Sequence, residues 1–324
     1  MIFGRATPEG TARFCARHEE ASSCGHFRSL GELEVSSIGL GTYLGDPNDE
    51  IDEAYSRAVV EALSLGCNLF DTAITYRHGR SERALGRGLE EAFERGIAER
   101  DEVVVCTKGG ADSLDSSQLA AELDRSRANL GFGTVDLYYL HNPESRLGDI
   151  EIVEFELRVA LTMLDERRVR GDIGGLGLAT WSGFRLPLGS PGALNLERIA
   201  AAAPSALMAV QAPLNLAMPE VLAAPTQELG GVVVPLAVAA RSLGLGLITS
   251  ASILQGQLTR LPPEMAERFP ELDSDAQRAL QFTRSLPGVT TALVGMSRVE
   301  HVRENLALAK VPPASVETVQ SFFA

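Results

Sequence analysis

Residues 102–141 read EVVVCTKGGADSLDSSQLAAELDRSRANLGFGTVDLYYLH. The apolar, β-branched run Val103-Val104-Val105 leads to Lys108, which reads as a strand over 102–108. Residues 116–130 then carry a helical period that stops at Gly131, a residue suited to the left-handed turn after a helix. A second apolar run, 135–141, ends in His141. Strand, helix and strand in succession, each strand closing on a polar residue, make a βα repeat.

The same rhythm extends in both directions. Strands are predicted at 37–42, 68–72, 102–108, 135–141, 174–180, 207–213, 246–251 and 290–295. Helices follow them at 51–65, 81–95, 116–130, 150–169, 194–203, 233–243, 274–285 and 299–310, the sixth only after a longer loop. Gly66 and Gly244 stand, like Gly131, where helices should stop. At the second helix Ser81 offers a polar cap and Glu82 an early acid, with Ala84 where a full capping box needs Glu or Gln. Eight βα units fit an α/β fold of the closed (β/α)8 TIM-barrel type better than an open doubly wound sheet. Gly39-Leu40-Gly41 is not a nucleotide loop, because Leu44 stands where its third glycine belongs. Since no Pro/Gly/Ser-rich linker divides the chain, residues 1–324 read as a single barrel domain. Residues 1–35 form an N-terminal extension, with 27–36 expected as a hairpin closed near Gly31 that plugs the barrel bottom.

Composition narrows the function classes. The chain is 45% hydrophobic and 22% charged, and its longest apolar stretches, such as 230–240, fall well short of the roughly 20 residues of a membrane span. A membrane partner is therefore excluded, and with no signal-peptide pattern at the N-terminus the expected location is cytoplasmic. A net charge of −14 repels a phosphate backbone, so nucleic acid is excluded as a partner. Cys15, Cys24, Cys67 and Cys106 are too few and scattered for a disulfide scaffold and read as reduced thiols. Cys15, His18, Cys24 and His26 match no zinc spacing, so no metal is expected.

In a barrel of this type chemistry gathers at the C-terminal ends of the strands. There the sequence puts Asp71 with Tyr76 in the following loop, Lys108 and His141, from three neighbouring strands. Singly, each has a plain structural reading as a rim ion pair or a satisfied polar residue; together at one mouth they suit proton transfer. A lysine ammonium beside a phenol favours the phenolate and is expected to lower the Tyr76 pKa. Asp71 would hold Lys108 charged, and His141 would polarise a carbonyl oxygen. Proton transfer to an oxygen whose carbon receives a hydride fits this set, and side chains supply no hydride, so a nicotinamide cofactor is implied.

The segments Ile38-Gly39-Leu40-Gly41-Thr42, Phe70-Asp71-Thr72-Ala73 with Tyr76, Thr107-Lys108, Asp136-Leu137-Tyr138 through His141, and Gly295 through Asn305 resemble the aldo-keto reductases, in order, from about Phe27 to Leu308. The resemblance implies a (β/α)8 barrel that binds NADP(H), less often NAD(H), with a tetrad of Asp71, Tyr76, Lys108 and His141 in which tyrosine is the acid. It also implies that Gln211 bonds the nicotinamide amide, that Thr42, Thr180 and Ser250 lie along the cofactor, and that Gly295, Ser297, Arg298, Glu304 and Asn305 hold its adenosine end. Either Ala179-Thr180 or the neighbouring Trp181-Ser182 stands where the family usually has Ser-Asn, Ser250 stands where an aromatic often stacks, and Arg298 is the nearest cation where a lysine often meets the 2′-phosphate.

Tyr43, Asn142 and Trp181 follow strands and are candidates to line a substrate pocket; Trp181 could equally pack under a loop. Arg77 and His78, beside Tyr76, face either an acidic or hydroxylated substrate or solvent. Cys106, two residues before Lys108, shares its strand face and reads as a small buried residue. The expected function is NAD(P)(H)-dependent interconversion of a small-molecule carbonyl and its alcohol. Two rival readings keep the barrel: a cofactor-binding regulatory or interaction protein with little turnover, and a non-redox enzyme using Tyr76 and Lys108 for acid-base work.

Overall fold

The computed structural model describes residues 1–145, 150–203 and 205–322. A hairpin of β1 (Phe27–Leu30) and β2 (Leu33–Ser36) precedes the barrel strands β3 (Ile38–Gly41), β4 (Leu69–Asp71), β5 (Val104–Gly109) and β6 (Val135–His141). Then come β7 (Ile173–Ala179), β8 (Leu207–Pro213), a small hairpin of β9 (Gln227–Leu229) and β10 (Val232–Val234), β11 (Gly246–Ser250) and β12 (Val289–Gly295). The eight strands of the barrel pair in parallel and close, β12 bonding to β3. All eight predicted strands are present. The helices are α1 (Pro8–His18), α2 (Asp49–Ser64), α3 (Arg80–Glu94), α4 (Ser116–Leu130), α5 (Ile150–Val169), α6 (Leu196–Ala200) and α7 (Glu220–Ala223). They continue with α8 (Leu236–Ser242), α9 (Glu264–Arg268), α10 (Asp275–Ser285), α11 (Val299–Leu306) and α12 (Val316–Gln320). No helix among the described residues is long and apolar enough to cross a membrane.

Strand alternation splits the core in two. Phe70, Val105, Tyr138, Leu140, Leu178 and Val210 face outward onto the helices, whereas Leu69, Val104, Cys106, Leu137, Tyr139, Ala209 and Ile248 fill the barrel interior. Leu30 and Val35 of the first hairpin join that interior cluster, and Arg28 donates to the Val289 carbonyl at 2.6 Å. The hairpin thus plugs the barrel bottom as expected, turning at Gly31 with φ +59°. Gly131 caps α4 in the left-handed conformation, and Gly66 and Gly244 also carry positive φ just past their helices.

Two expectations need correction. The predicted helix at 233–243 begins only at Leu236, because Gly230 and Gly231, both at positive φ, turn Val232–Val234 back onto Gln227–Leu229. Ser81 is not a cap: α3 opens at Arg80 after a left-handed Gly79, and the Ser81 hydroxyl donates to the Thr42 carbonyl at 2.7 Å. Ahead of its hairpin, the N-terminal extension carries the helix α1. Thr7 caps α1, Pro8 occupies its first turn, and Ala6 N–H bonds the Asp136 carboxylate at 2.6 Å.

Taper inside the barrel is met by pairing small with large side chains. On β7, Gly175 faces Met208 of β8 and Gly177 faces the Tyr139 ring of β6; a Cβ at Gly177 would lie 2.3 Å from that ring. Gly177→Ala should therefore destabilise by about 1–3 kcal/mol through overpacking, read as a lower urea midpoint at unchanged slope. An unchanged midpoint would mean that Tyr139 has room to move.

Candidate active site

At the C-terminal end of the barrel the strands deliver a cluster of polar side chains to one cavity of about 570 Å³. Its wall includes Tyr76, His141, Thr180, Trp181, Gln211 and Ser250. Asp71 ends β4 and Lys108 lies near the end of β5, both on the interior face. The Lys108 ammonium, fully buried, donates to Asp71 Oδ1 and to the Thr72 carbonyl at 2.8 Å. Asp71 Oδ2 accepts from Gln211 Nε2 at 2.9 Å. Burial alone would lower the Lys108 pKa, but Asp71 and Tyr76 outweigh it and hold the value above normal.

Tyr76 opens the turn after β4. Its ring centroid lies 4.9 Å from Lys108 Nζ, 5.0 Å from the Tyr43 ring and 5.8 Å from the His141 ring. The expected lowering of the Tyr76 pKa is not what the structure gives: burial of the phenol raises it, and the opposing pull of Lys108 does not overcome that. Tyr76 is therefore held as the protonated phenol. His141 is also kept neutral, its pKa pushed down to about 3 by burial and by the Lys108 charge. Its buried Nδ1 has no hydrogen-bond partner within the protein.

All three candidate pocket residues, Tyr43, Asn142 and Trp181, line the cavity. Trp181 is 45% exposed rather than packed away. Glu144, buried after β6, accepts from the Trp181 and Ser182 backbone N–H groups at 2.7 and 2.8 Å and so fixes this wall. Of the candidate cofactor residues, Thr42, Thr180, Gln211, Ser250 and Gly295 line the cavity. The Thr180 hydroxyl is buried without a partner, whereas Thr42 Oγ1 is spent on the Asp71 carbonyl at 3.2 Å. Ser297, Arg298, Glu304 and Asn305 lie beyond the cavity wall on the β12–α11 loop and α11. Arg298 is exposed, Glu304 accepts from Ser274, and the buried Asn305 Oδ1 has no partner.

Arg77 lines the cavity, yet most of its donors are engaged within the protein. Its guanidinium is buried and donates to Asp52 Oδ1 at 2.6 Å, to the Asp46 carbonyl at 2.8 and 3.0 Å and to the Asn48 carbonyl at 3.3 Å. His78 is exposed. Both adopt left-handed backbone, with φ +50° and +58°, at a cost of roughly 1–2 kcal/mol each for residues with a Cβ. The loop after β11 contributes Ala251, Ile253 and Gln255 to the cavity, which the sequence reading did not single out. Cys106 shares the interior face with Lys108 as expected, and burial raises its pKa well above normal, which makes it a poor nucleophile. Cys15 and His26 are buried, His26 on the Gly66 carbonyl at 3.0 Å, and no group of three metal-ligating side chains occurs among the described residues.

Comparison with known proteins places the chain in a family. The model of the aldo/keto reductase family matches residues 37–322, and the chain belongs to that family. It is 28% identical over 308 residues to the L-galactose dehydrogenase of Arabidopsis thaliana, covering 86% of each chain. It is 32% identical over 302 residues to an uncharacterized oxidoreductase of Mycobacterium tuberculosis, covering 86% of this chain and 85% of that one. An aldo/keto reductase from Klebsiella pneumoniae, solved in complex with NADP and acetate, shares the fold with TM-score 0.66 at 20% identity, over 90% of this chain and 91% of that one. The protein is an oxidoreductase of the aldo-keto reductase type.

The neutral histidines make a pH prediction. Burial holds His26 at about 4 and His141 at about 3, against an ordinary 6.5. Depressed folded-state values mean that their contribution to stability is present above pH 6.5 and is lost as pH falls toward those values, because only the unfolded chain takes up the protons. Between about pH 7.5 and 5.5 the urea midpoint should therefore drop while the His141 ring signals in NMR stay in place. A His141 ring that titrates near 6.5 would contradict the geometry.

Proposed function

We propose that the protein interconverts a small aldehyde or ketone and its alcohol with NADP(H) in preference to NAD(H), Tyr76 acting as the proton donor. The observation that carries the reading is the convergence of Tyr76, His141 and the Asp71–Lys108 pair on one cavity. Bound nicotinamide supplies or accepts the hydride. The residues present fit such a group: the unpartnered Thr180 hydroxyl and Gln211 lie in the cavity wall with Ser250 for the nicotinamide end, and Gly295 lines it toward the adenosine end. Ser297, Arg298, Glu304 and Asn305 follow on β12–α11 for the adenosine end, and the exposed Arg298 suits a 2′-phosphate.

The protein's own groups divide the remaining work. Tyr76, a phenol that burial moves further from ionisation, gives its proton to the carbonyl oxygen as negative charge develops there. Lys108, kept charged by Asp71, stabilises the phenolate left behind. His141, neutral, orients the same oxygen with a ring nitrogen. Tyr43, Asn142 and Trp181 form the walls that hold the substrate's remaining surface. The relative from Arabidopsis is named as a dehydrogenase of L-galactose, which is consistent with the alcohol-oxidising direction.

Tyr76→Phe removes the proton donor and little volume. It should lower kcat/KM for carbonyl reduction by about 10²–10⁴-fold while the Kd for NADPH changes less than about twofold. Reduction at the wild-type rate in this variant would end the assignment of Tyr76.

A further inference from the structure

The proton donor sits at the start of a turn with an unusual backbone. Three consecutive residues after Tyr76 are left-handed: Arg77 (φ 50°, ψ 38°), His78 (φ 58°, ψ 43°) and Gly79 (φ 75°, ψ 0°). Glycine adopts this region freely; arginine and histidine do not. Something outside the turn must hold it there.

The Arg77 side chain supplies that hold. Its guanidinium, 2% exposed, is bonded to the Asp52 carboxylate on α2 and to the Asp46 and Asn48 carbonyls of the β3–α2 loop. Asp52 Oδ2 takes Arg80 of α3 at 2.8 Å as well, so one buried carboxylate joins α2 to both sides of the turn. The guanidinium also lies 5.4 Å from the centroid of Tyr55, whose hydroxyl donates to the Leu44 carbonyl at 2.8 Å. Leu44 and Tyr43 line the cavity, and the Tyr43 ring meets Tyr76 edge-on. One side chain therefore anchors both the turn that bears Tyr76 and the loop that packs against its ring.

We propose that Arg77, paired with Asp52, is a positioning residue that aims the Tyr76 hydroxyl at the substrate oxygen. The inference rests on Tyr76 being the proton donor. Its own content is that the buried ion pair, and not the turn sequence alone, sets the donor's place: Arg77 lines the cavity, but its guanidinium is bonded to Asp52 and to the Asp46 and Asn48 carbonyls. Loss of the anchor lets the turn relax, and a displacement of about 1 Å at the reacting groups is enough to cost about 10²-fold in rate.

A double-mutant cycle over Arg77→Met and Tyr76→Phe tests this, with kcat, KM and the Kd for NADPH, the last by Trp181 fluorescence, measured for each protein. Arg77→Met alone should lower kcat by about 10–100-fold with the NADPH Kd within about twofold, and should lower it no further in the Tyr76→Phe background. Equal losses in both backgrounds would show a general structural role and overturn the proposal; so would an unchanged kcat in Arg77→Met. Arg77→Gly relaxes the backbone demand while deleting the anchor, so it too should lose kcat, and wild-type turnover in it would likewise overturn the proposal. Should Arg77→Met fail to fold, Arg77→Lys, which retains the buried charge but not the fork, is read by the same cycle. If Tyr76→Phe itself retains full turnover, the failure belongs to the proton-donor assignment and is recognised as such before Arg77 is judged.

Discussion

A lysine ammonium with no exposed surface lies inside the barrel, and the Asp71 carboxylate beside it is what makes that tolerable. Removing a single charge from water costs several kcal/mol even after relaxation, so neither partner is stable there alone. Together they need further hydrogen bonds, which the Thr72 carbonyl and the Gln211 amide provide. That requirement ties β4, β5 and β8 to one point. Below the pair the interior is filled by Leu69, Val104, Cys106, Leu137 and Tyr139, and the Leu30–Val35 hairpin seals the bottom. With that end closed and apolar, the polar ends of the strands meet water and ligand at the opposite mouth.

Burial, modulated by the pair, sets the charge state of its neighbours. Burial, with the Lys108 charge adding to it, depresses the His141 pKa, and Lys108 opposes the upward push of burial on Tyr76 without overcoming it. The result is a protonated phenol and a neutral imidazole on one cavity wall, a combination suited to giving a proton to an oxygen and orienting it. The walls around it are held by buried carboxylates at a distance: Glu144 fixes the Trp181 backbone, and Asp52 fixes the Tyr76 turn through Arg77.

The barrel was legible because its signals are local. Short apolar runs ending in Asp71, Lys108 and His141 occur where strands lie, and alternation placed Cys106 on the face of Lys108. Other features depend on partners far along the chain or on competing local signals. The sequence leaves Arg77 open to substrate or solvent because its partner Asp52 is 25 residues away, on a helix. The sign of the Tyr76 shift depended on burial, which no motif encodes. Helix 233–243 was over-extended although Gly230-Gly231 before Val232-Val233-Val234 carried a hairpin signal, and Thr7-Pro8 likewise announced a helix start that went unread.

Trp181 is the chain's single tryptophan, lies on the cavity wall and is 45% exposed, so it reports directly on what enters the site. Titration of the purified protein with NADPH and with NADH, following quenching of Trp181 emission and energy transfer to the dihydronicotinamide, tests the account most directly. The account predicts saturable quenching at one equivalent, tighter for NADPH. No saturation with either cofactor up to millimolar concentration would contradict it, and the Asp71–Lys108–Tyr76 cluster would then need another chemistry.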